Sequence, residues 1–142
     1  MWPDPAPPRL MLVTDRQRTR GRALVPLVAA AVQGGVGLIQ VREKDLPTAE
    51  LSALVEAICQ VAGSHATVLV NRDAVVARRF GCGLHLPAGD PLPALPAGLP
   101  FGRSAHDEQE AAAAVAEGAR YLVVGTVFPS AGKPGRPGIG LG

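Results

Sequence analysis

Short apolar runs alternate with longer amphipathic segments along most of the chain. The apolar runs lack the polar alternation of a sheet with one exposed face, so they predict strands that are covered on both faces. These predicted strands span residues 9–14, 38–42, 66–71, 83–86, 101–104 and 121–125. Between them, apolar residues recur at the spacing of one helix face. The predicted helices span residues 23–33, 47–61, 73–80 and 107–117.

Segments rich in proline and glycine interrupt this pattern. Residues 1–8 contain four prolines and predict a proline-rich arm ahead of a single domain spanning residues 9–142. Residues 87–100 contain five prolines. They predict a loop where the alternation would otherwise place a helix, because proline lacks the amide hydrogen and clashes with the preceding turn. Residues 126–142 predict a second loop, rich in glycine and proline.

The repeated order of strand and helix is typical of right-handed β-α-β units around a parallel sheet. The sequence therefore predicts the α/β class. Two architectures have this pattern, an open doubly wound sheet and a closed barrel. No G-x-G-x-x-G motif follows the first predicted strand. Its absence disfavours the dinucleotide-binding form of the open sheet.

Composition narrows the class of protein further. With 47% hydrophobic and 18% charged residues over 142 positions, the chain predicts one soluble globular domain. The formal charge of +2 is spread along the sequence, which argues against nucleic-acid binding. No apolar stretch approaches the roughly 20 residues that span a bilayer, and a cytoplasmic protein is expected. Cys59 and Cys82 lack metal-ligand spacing and are expected to be inert.

Polar side chains follow the predicted strands along the chain. In a parallel sheet all carboxyl ends lie at one edge, where barrels and open α/β sheets both build their sites. Arginine and lysine neutralise an anion and hydroxyl groups bond its oxygens, so the set predicts a phosphate site. Taken singly, each residue has a structural alternative as a solvated charge or a bonded core group. The residues are Asp15, Arg16, Gln40, Arg42, Lys44, Asn71, Asp73, His85, Asp90, Ser104, His106 and Lys133.

Short motifs within these segments carry a family resemblance. The most specific are Gln40-Val-Arg-Glu-Lys44 and Gly102-Arg-Ser-Ala-His106. They occur with Val13-Thr-Asp-Arg16, Gly34-Gly-Val36, Asn71, Gly83-Leu-His-Leu86 and Gly125-Thr-Val-Phe-Pro129. In order and spacing, residues 9–141 resemble the thiamine phosphate synthase family.

The resemblance implies a TIM-type (β/α) barrel that acts in thiamine biosynthesis. Such an enzyme joins hydroxymethylpyrimidine diphosphate to a thiazole phosphate and releases pyrophosphate, with Mg²⁺ as the required ion. By resemblance, Asp90 is a magnesium ligand, and Ser104 contacts phosphate and pyrimidine. Lys133 acts in catalysis and also binds the phosphorylated ligand. The remaining ligand-binding positions implied by the resemblance are Gln40, Arg42, Lys44, Asn71 and Ser130.

The chain departs from the synthase pattern at one metal position. The family has an aspartate directly after the asparagine of the third strand, and this chain has Arg72 there. A guanidinium repels a divalent cation. Asp73, one residue further on, is a possible substitute only if the strand has already ended, because neighbouring side chains on a strand face opposite sides.

A tautomerase branch of the family provides an alternative function. Those relatives shift a proton on a thiazole carboxylate phosphate, tend to lack the same aspartate, and resemble this chain in Leu86-Pro87 and Phe101-Gly-Arg-Ser104. The histidine expected after the glycine of the sixth strand is Thr126 here, and threonine is not a base near neutral pH. His106 is then the candidate acid or base, since it is the ionisable group closest to the end of the fifth strand.

The length of the chain implies an incomplete barrel. About six of eight β/α units have a counterpart in the sequence, and the last two strands of the family do not. Six units would leave an open sheet edge, which invites pairing with another chain. A third expectation is therefore an inactive phosphate-binding fragment, a homo-oligomer, or a half that a second chain completes.

Overall fold

The computed structural model describes residues 10–141. The predicted arm at residues 1–8, and the first residue of the predicted first strand, lie outside this range. Strands are β1 (Met11–Val13), β2 (Leu38–Val41), β3 (Thr67–Asn71), β4 (Gly83–Leu86), β5 (Phe101–Ala105) and β6 (Leu122–Val124). Helices are α1 (Leu24–Gln33), α2 (Thr48–Ala62), α3 (Ala74–Phe80) and α4 (Glu108–Ala116).

The described strands form one parallel sheet in the order β1-β2-β3-β4-β5-β6. Successive strands are neighbours throughout, and the order never reverses as it does in a doubly wound sheet. With right-handed crossovers, an unreversed order places all helices on the same face. The structure is therefore an α/β half-barrel that curls with its helices outside, and the predicted fold class is confirmed.

Local sequence explains where the helices begin. Pro47 directly precedes α2. The side chain of Asp73 accepts a hydrogen bond from the amide of Val76 and caps α3. Asp107 accepts one from the amide of Glu110 and caps α4. Such caps satisfy amide groups that the first turn of a helix leaves without an internal partner.

The apolar core lies between the sheet and the helices. Ile39 and Val41 on β2 alternate with Leu38 and Gln40, and the first pair belongs to the core cluster that includes α1, α2 and α3. The same alternation continues in β3 and β4, because successive side chains of a strand point to opposite faces. The second set of side chains lines the inner face of the half-barrel.

The segment between β4 and β5 is irregular, as its proline content predicts. Residues 87–100 contain turns but no helix. A feature that the sequence analysis missed is a short 3-10 helix at Arg16–Arg18 after β1. Asp15 caps it by accepting a hydrogen bond from the amide of Gln17.

The two edges of the described sheet are β1 and β6, and hydrogen bonding does not join them. Val13, Val123 and Val124 at these edges are 44–48% exposed. Residues 126–141 form no helix or strand, and Ile139 donates a backbone hydrogen bond to Thr126. Among residues 10–141, no helix combines the length and apolar character that crossing a bilayer requires.

Candidate functional site

The inner face of the half-barrel becomes polar at the carboxyl ends of its strands. Asn71 at the end of β3 lies in register with His85 on β4. Gln40 lies near the end of β2, and Ser104 near the end of β5. Because these strands are adjacent and parallel, the four side chains lie toward the same end of the inner face, the rim of the half-barrel.

The end of β2 presents two cations to this rim. Arg42 and Lys44 are exposed. Gln40, which precedes them on β2, is only 3% exposed. The amide of Arg42 donates to the hydroxyl of the buried Thr14, which fixes the backbone there. Repulsion from Arg42, desolvation and repulsion from Arg72 lower the pKa of Lys44, so the three cations lie close together.

Glu43 lies between Arg42 and Lys44 in the sequence, but its side chain points in the opposite direction from theirs. It is 7% exposed and accepts a hydrogen bond of 3.0 Å from the amide of Arg16. The guanidinium of Arg16 also makes two hydrogen bonds, of 3.1 and 2.7 Å, to Asp45. These bonds tie the loop after β1 to the loop after β2, so Arg16 holds the rim together and its charge is already paired.

His85 lies at the centre of a hydrogen-bonded group on the inner face. Its Nδ1 is 2.7 Å from the hydroxyl of Tyr121, and its Nε2 is 2.9 Å from the hydroxyl of Ser104. The His85 and Tyr121 rings also stack, with centroids 5.6 Å apart. Desolvation, with repulsion from Arg42 and Arg103, lowers the pKa of His85 to about 4. The ring is therefore neutral near pH 7, with one nitrogen donating and the other accepting.

Gly102 makes room for Tyr121 beside His85. A Cβ atom at position 102 would overlap the Tyr121 ring. Burial raises the pKa of Tyr121 well above its usual range, which keeps its hydroxyl protonated. The phenol can then act as donor or acceptor to the imidazole, and it fixes the ring that contacts Ser104.

The third polar cluster joins the loop after β3 to the loop after β4. Nε of Arg72 lies 3.0 Å from one oxygen of Asp90, and Nη2 lies 3.4 Å from the other. Arg103 donates to the backbone oxygens of Pro87 and Asp90 at 3.1 and 2.7 Å, and pairs with Glu117. This buried guanidinium therefore orders the segment that carries Asp90.

The two carboxylates that the sequence offered as magnesium ligands already have partners. Asp73 caps α3, and Asp90 is paired with Arg72. No group of three or more His, Cys, Asp or Glu side chains in residues 10–141 is placed to hold a metal ion. The surroundings of Asp90 do not fit a divalent ion, because the carboxylate that would bind it is paired with a guanidinium, which repels a cation.

His106 directly follows β5, and its ring lies between the carboxylate of Glu110 and the guanidinium of Arg136. Its Nδ1 is 3.1 Å from Glu110, and its Nε2 is 3.1 Å from Arg136. Together with Thr126 and Ile139 it lines a pocket of about 280 Å³. The hydroxyl of Thr126 is buried without a hydrogen-bond partner there.

Ser130 and Lys133 occupy the loop that follows β6. Both residues are exposed, and the amide of Lys133 donates to the backbone oxygen of Ser130. The loop keeps the two predicted ligands adjacent to each other. No contact in the described part of the chain connects either side chain to Arg42 or Ser104.

Sequence reasoning missed the residues that hold the rim in place. Tyr121 and Glu117 belong to no motif, and Arg103 lies within the motif at residues 102–106 but was given no role there. The contacts of all three residues depend on which strands are neighbours. The contact between the two cysteines was missed for the same reason. The sulfur atoms of Cys59 and Cys82, which are 23 positions apart, lie 3.4 Å from each other.

Comparisons with known proteins bear on this site. Residues 10–142 match the family model for thiamine monophosphate synthase. The chain is 38% identical over 131 residues to a putative thiamine-phosphate synthase of Geobacter sulfurreducens, covering 87% of this chain and 62% of that protein. It is 40% identical over 141 residues to a thiamine-phosphate synthase of Streptomyces avermitilis, covering 94% and 65%.

A solved structure has a similar fold. Thiamine phosphate pyrophosphorylase from Pyrococcus furiosus superposes with a TM-score of 0.76 at 31% identity, covering 86% of this chain and 62% of that one. The chain thus spans between 62% and 65% of the length of the relatives named here.

Proposed function

Because the chain belongs to the thiamine monophosphate synthase family, we propose that it joins hydroxymethylpyrimidine diphosphate to a thiazole phosphate and releases pyrophosphate. The observation that carries the proposal is the rim itself. Arg42 and Lys44 are grouped on one side of it, after β2, and the Ser104–His85 pair lies on β5 and β4, two to three strands away. Cations for the leaving pyrophosphate and a hydroxyl for an acceptor are the groups that this transfer needs. We assign the reaction to the cytoplasm.

Arg42 and Lys44 neutralise the leaving pyrophosphate in this mechanism. Charge develops on pyrophosphate as the bond to the pyrimidine carbon breaks, and fixed cations stabilise it without rearrangement of the site. Gln40 and Asn71 hydrogen-bond the same ligand from the inner face. The thiazole nitrogen then attacks, so the protein mainly orients two substrates and has little need of a general base.

Ser104 binds substrate in an orientation set by His85. When Nε2 of the neutral ring carries the proton, it donates to the Ser104 oxygen, and the Ser104 proton points to a ligand oxygen. Ser130 and Lys133 close on the phosphate from the loop after β6. His85 is thus a positioning residue, and Ser104 touches the substrate.

Product formation tests the proposed transfer. Purified protein is incubated with both phosphorylated substrates, and thiamine phosphate is measured by chromatography, with and without Mg²⁺. We expect product that increases with the amount of protein. An absence of thiamine phosphate under both conditions would remove the proposal.

Replacing Arg42 with alanine is expected to weaken binding of inorganic pyrophosphate about tenfold or more, because a charge-assisted hydrogen bond to phosphate is lost. Isothermal titration calorimetry measures this affinity. Arg79→Ala is the matched control, since Arg79 lies in the last turn of α3, away from the rim, against the ring of Phe80. Equal affinities for the two variants would contradict the role of Arg42.

A second candidate function is the tautomerase-type isomerisation, which the His106–Glu110 pair favours. A carboxylate beside an exposed imidazole orients it for proton transfer. Under this proposal, His106→Ala abolishes a measured rate of thiazole tautomerisation, whereas Ser104→Ala reduces substrate affinity. A rate that is unchanged in His106→Ala would remove this assignment.

The exposed valines at both edges of the sheet favour binding of a partner chain whose strands pair with β1 and β6. We propose that the protein self-associates or binds a completing chain through β1 and β6. Size-exclusion chromatography with light scattering is expected to show a species larger than a monomer. Val123→Lys is expected to reduce this association, because charge on an edge strand opposes pairing, while the exposed Val75→Lys on α3 leaves it unchanged. A stable monomer would contradict self-association.

A further inference from the structure

Arg72 occupies an unusual backbone position between β3 and α3. Its φ of 67° lies in the left-handed region, which costs a non-glycine residue about 1–2 kcal/mol. Its amide donates a 2.9 Å hydrogen bond to the backbone oxygen of His85, and the next residue caps α3. The backbone at Arg72 is therefore fixed from both sides, and the side chain extends toward the loop after β4.

Asp90 receives this side chain in a two-point contact. One carboxylate oxygen is 3.0 Å from Nε and the other is 3.4 Å from Nη2. The backbone of Asp90 is itself held by Arg103. A guanidinium carries five donor hydrogens, so the pair with one carboxylate does not exhaust it. The Arg72 side chain is 56% exposed, which leaves it accessible to a ligand.

The charges around this pair favour an anion. Arg42, Lys44 and Arg72 are close enough for the two arginines to lower the pKa of Lys44. Asp90 neutralises one of the three cations, and the group as a whole stays positive. A divalent cation would meet net repulsion here, whereas a polyphosphate would relieve the repulsion among the three side chains.

We propose that the Arg72 guanidinium, held in place by Asp90, supplies at this rim the positive charge that the family obtains from magnesium, so that the chain binds pyrophosphate without a divalent ion. This inference rests on the proposed function, since it concerns the same pyrophosphate. Asp90 then acts as a positioning residue for Arg72 and not as a metal ligand. Arg72 contacts the leaving group directly.

Binding of inorganic pyrophosphate to the full chain, measured by calorimetry in EDTA and again with excess Mg²⁺, tests the proposal. We expect affinity in EDTA to be at least as high as with Mg²⁺. Arg72→Ala is expected to lose about tenfold or more of the affinity in EDTA. Arg72→Lys is expected to retain part of it, because it keeps the charge but loses the planar fork. Arg79→Ala, which removes the same charge far from the rim, is expected to leave the affinity unchanged.

Arg72→Asp provides the decisive contrast, because it places two carboxylates where the wild type has an ion pair. We expect this variant to lose binding in EDTA and to recover it with Mg²⁺. Pyrophosphate binding by the wild type only when Mg²⁺ is present, or unchanged affinity of Arg72→Ala in EDTA, would overturn the inference while leaving the proposed function intact. No binding by the wild type under either condition would count against the proposed function itself. Circular dichroism of each variant verifies that it is folded, and Arg72→Lys serves as the test if Arg72→Ala is not.

Discussion

Acidification from about pH 7 to about pH 4 is expected to lower the free energy of unfolding by about 2 to 3 kcal/mol through His85 alone. The pKa of His85 falls from 6.5 to about 4 in the folded protein, first because the ring is desolvated and then because Arg42 and Arg103 repel its charge. Each unit of difference corresponds to about 1.4 kcal/mol, and partial solvent access reduces the total. Urea denaturation at a series of pH values measures the effect.

The sign follows from which state holds the proton. Between about pH 6.5 and about pH 4, the unfolded chain binds a proton at His85 and the folded chain does not, so stability falls as the pH is lowered. Below about pH 4 both states are protonated, and this contribution levels off. His85→Gln is the control, because glutamine can bond Ser104 and does not titrate. If the wild type and His85→Gln lose the same stability over this range, the neutral, buried state of His85 is wrong.

Ile39→Ala is expected to lower the free energy of unfolding by about 2–5 kcal/mol, the cost of a cavity in a packed core. Ile39 is 0% exposed on β2, and it belongs to the cluster shared by the sheet and the helices. The substitution removes buried carbon atoms at a position where strands on both sides limit relaxation. Chemical denaturation followed by circular dichroism measures the change.

Ile139→Ala is the matched control for this cavity. The same atoms are removed, but Ile139 is 48% exposed in the loop after β6. Its stability is expected to change by less than about 0.5 kcal/mol, as is usual at the surface. Similar losses for the two variants would mean that the packing between β2 and the helices does not control stability.

The helices and strands could be predicted because their signals are local. Ile39 and Val41 belong to a short, mostly apolar run in β2, and Leu51, Val55 and Ile58 lie on one face of α2. A short apolar run and a period of 3.6 residues both depend only on neighbouring positions. The proline-rich segment between β4 and β5 was predictable for the same reason, since proline acts on the turn in which it lies.

The choice between a barrel and a doubly wound sheet needed the order of strands. The pattern of elements left both open, because local patterns do not specify which strands are hydrogen-bonded, and only the family resemblance predicted the barrel. The register of Asn71 with His85 and the unreversed order of the sheet place the polar side chains on a single concave face. The sequence supplied those side chains but not their shared orientation.

The residues of the site also differ in how far the sequence predicts them. The sequence by itself predicted that Gln40, Arg42, Asn71 and Ser104 lie at one rim, because each is at or just after the end of a predicted strand. Only the tertiary structure decided which residues act together there, such as the pair of Arg72 with Asp90 and the contacts of His85 with Tyr121 and Ser104. His85 and Tyr121, 36 positions apart, meet only because β4 and β6 flank the same strand, β5, in the folded sheet. Periodicity is a short-range property of the chain, whereas charge pairing and desolvation depend on every group that folding brings close.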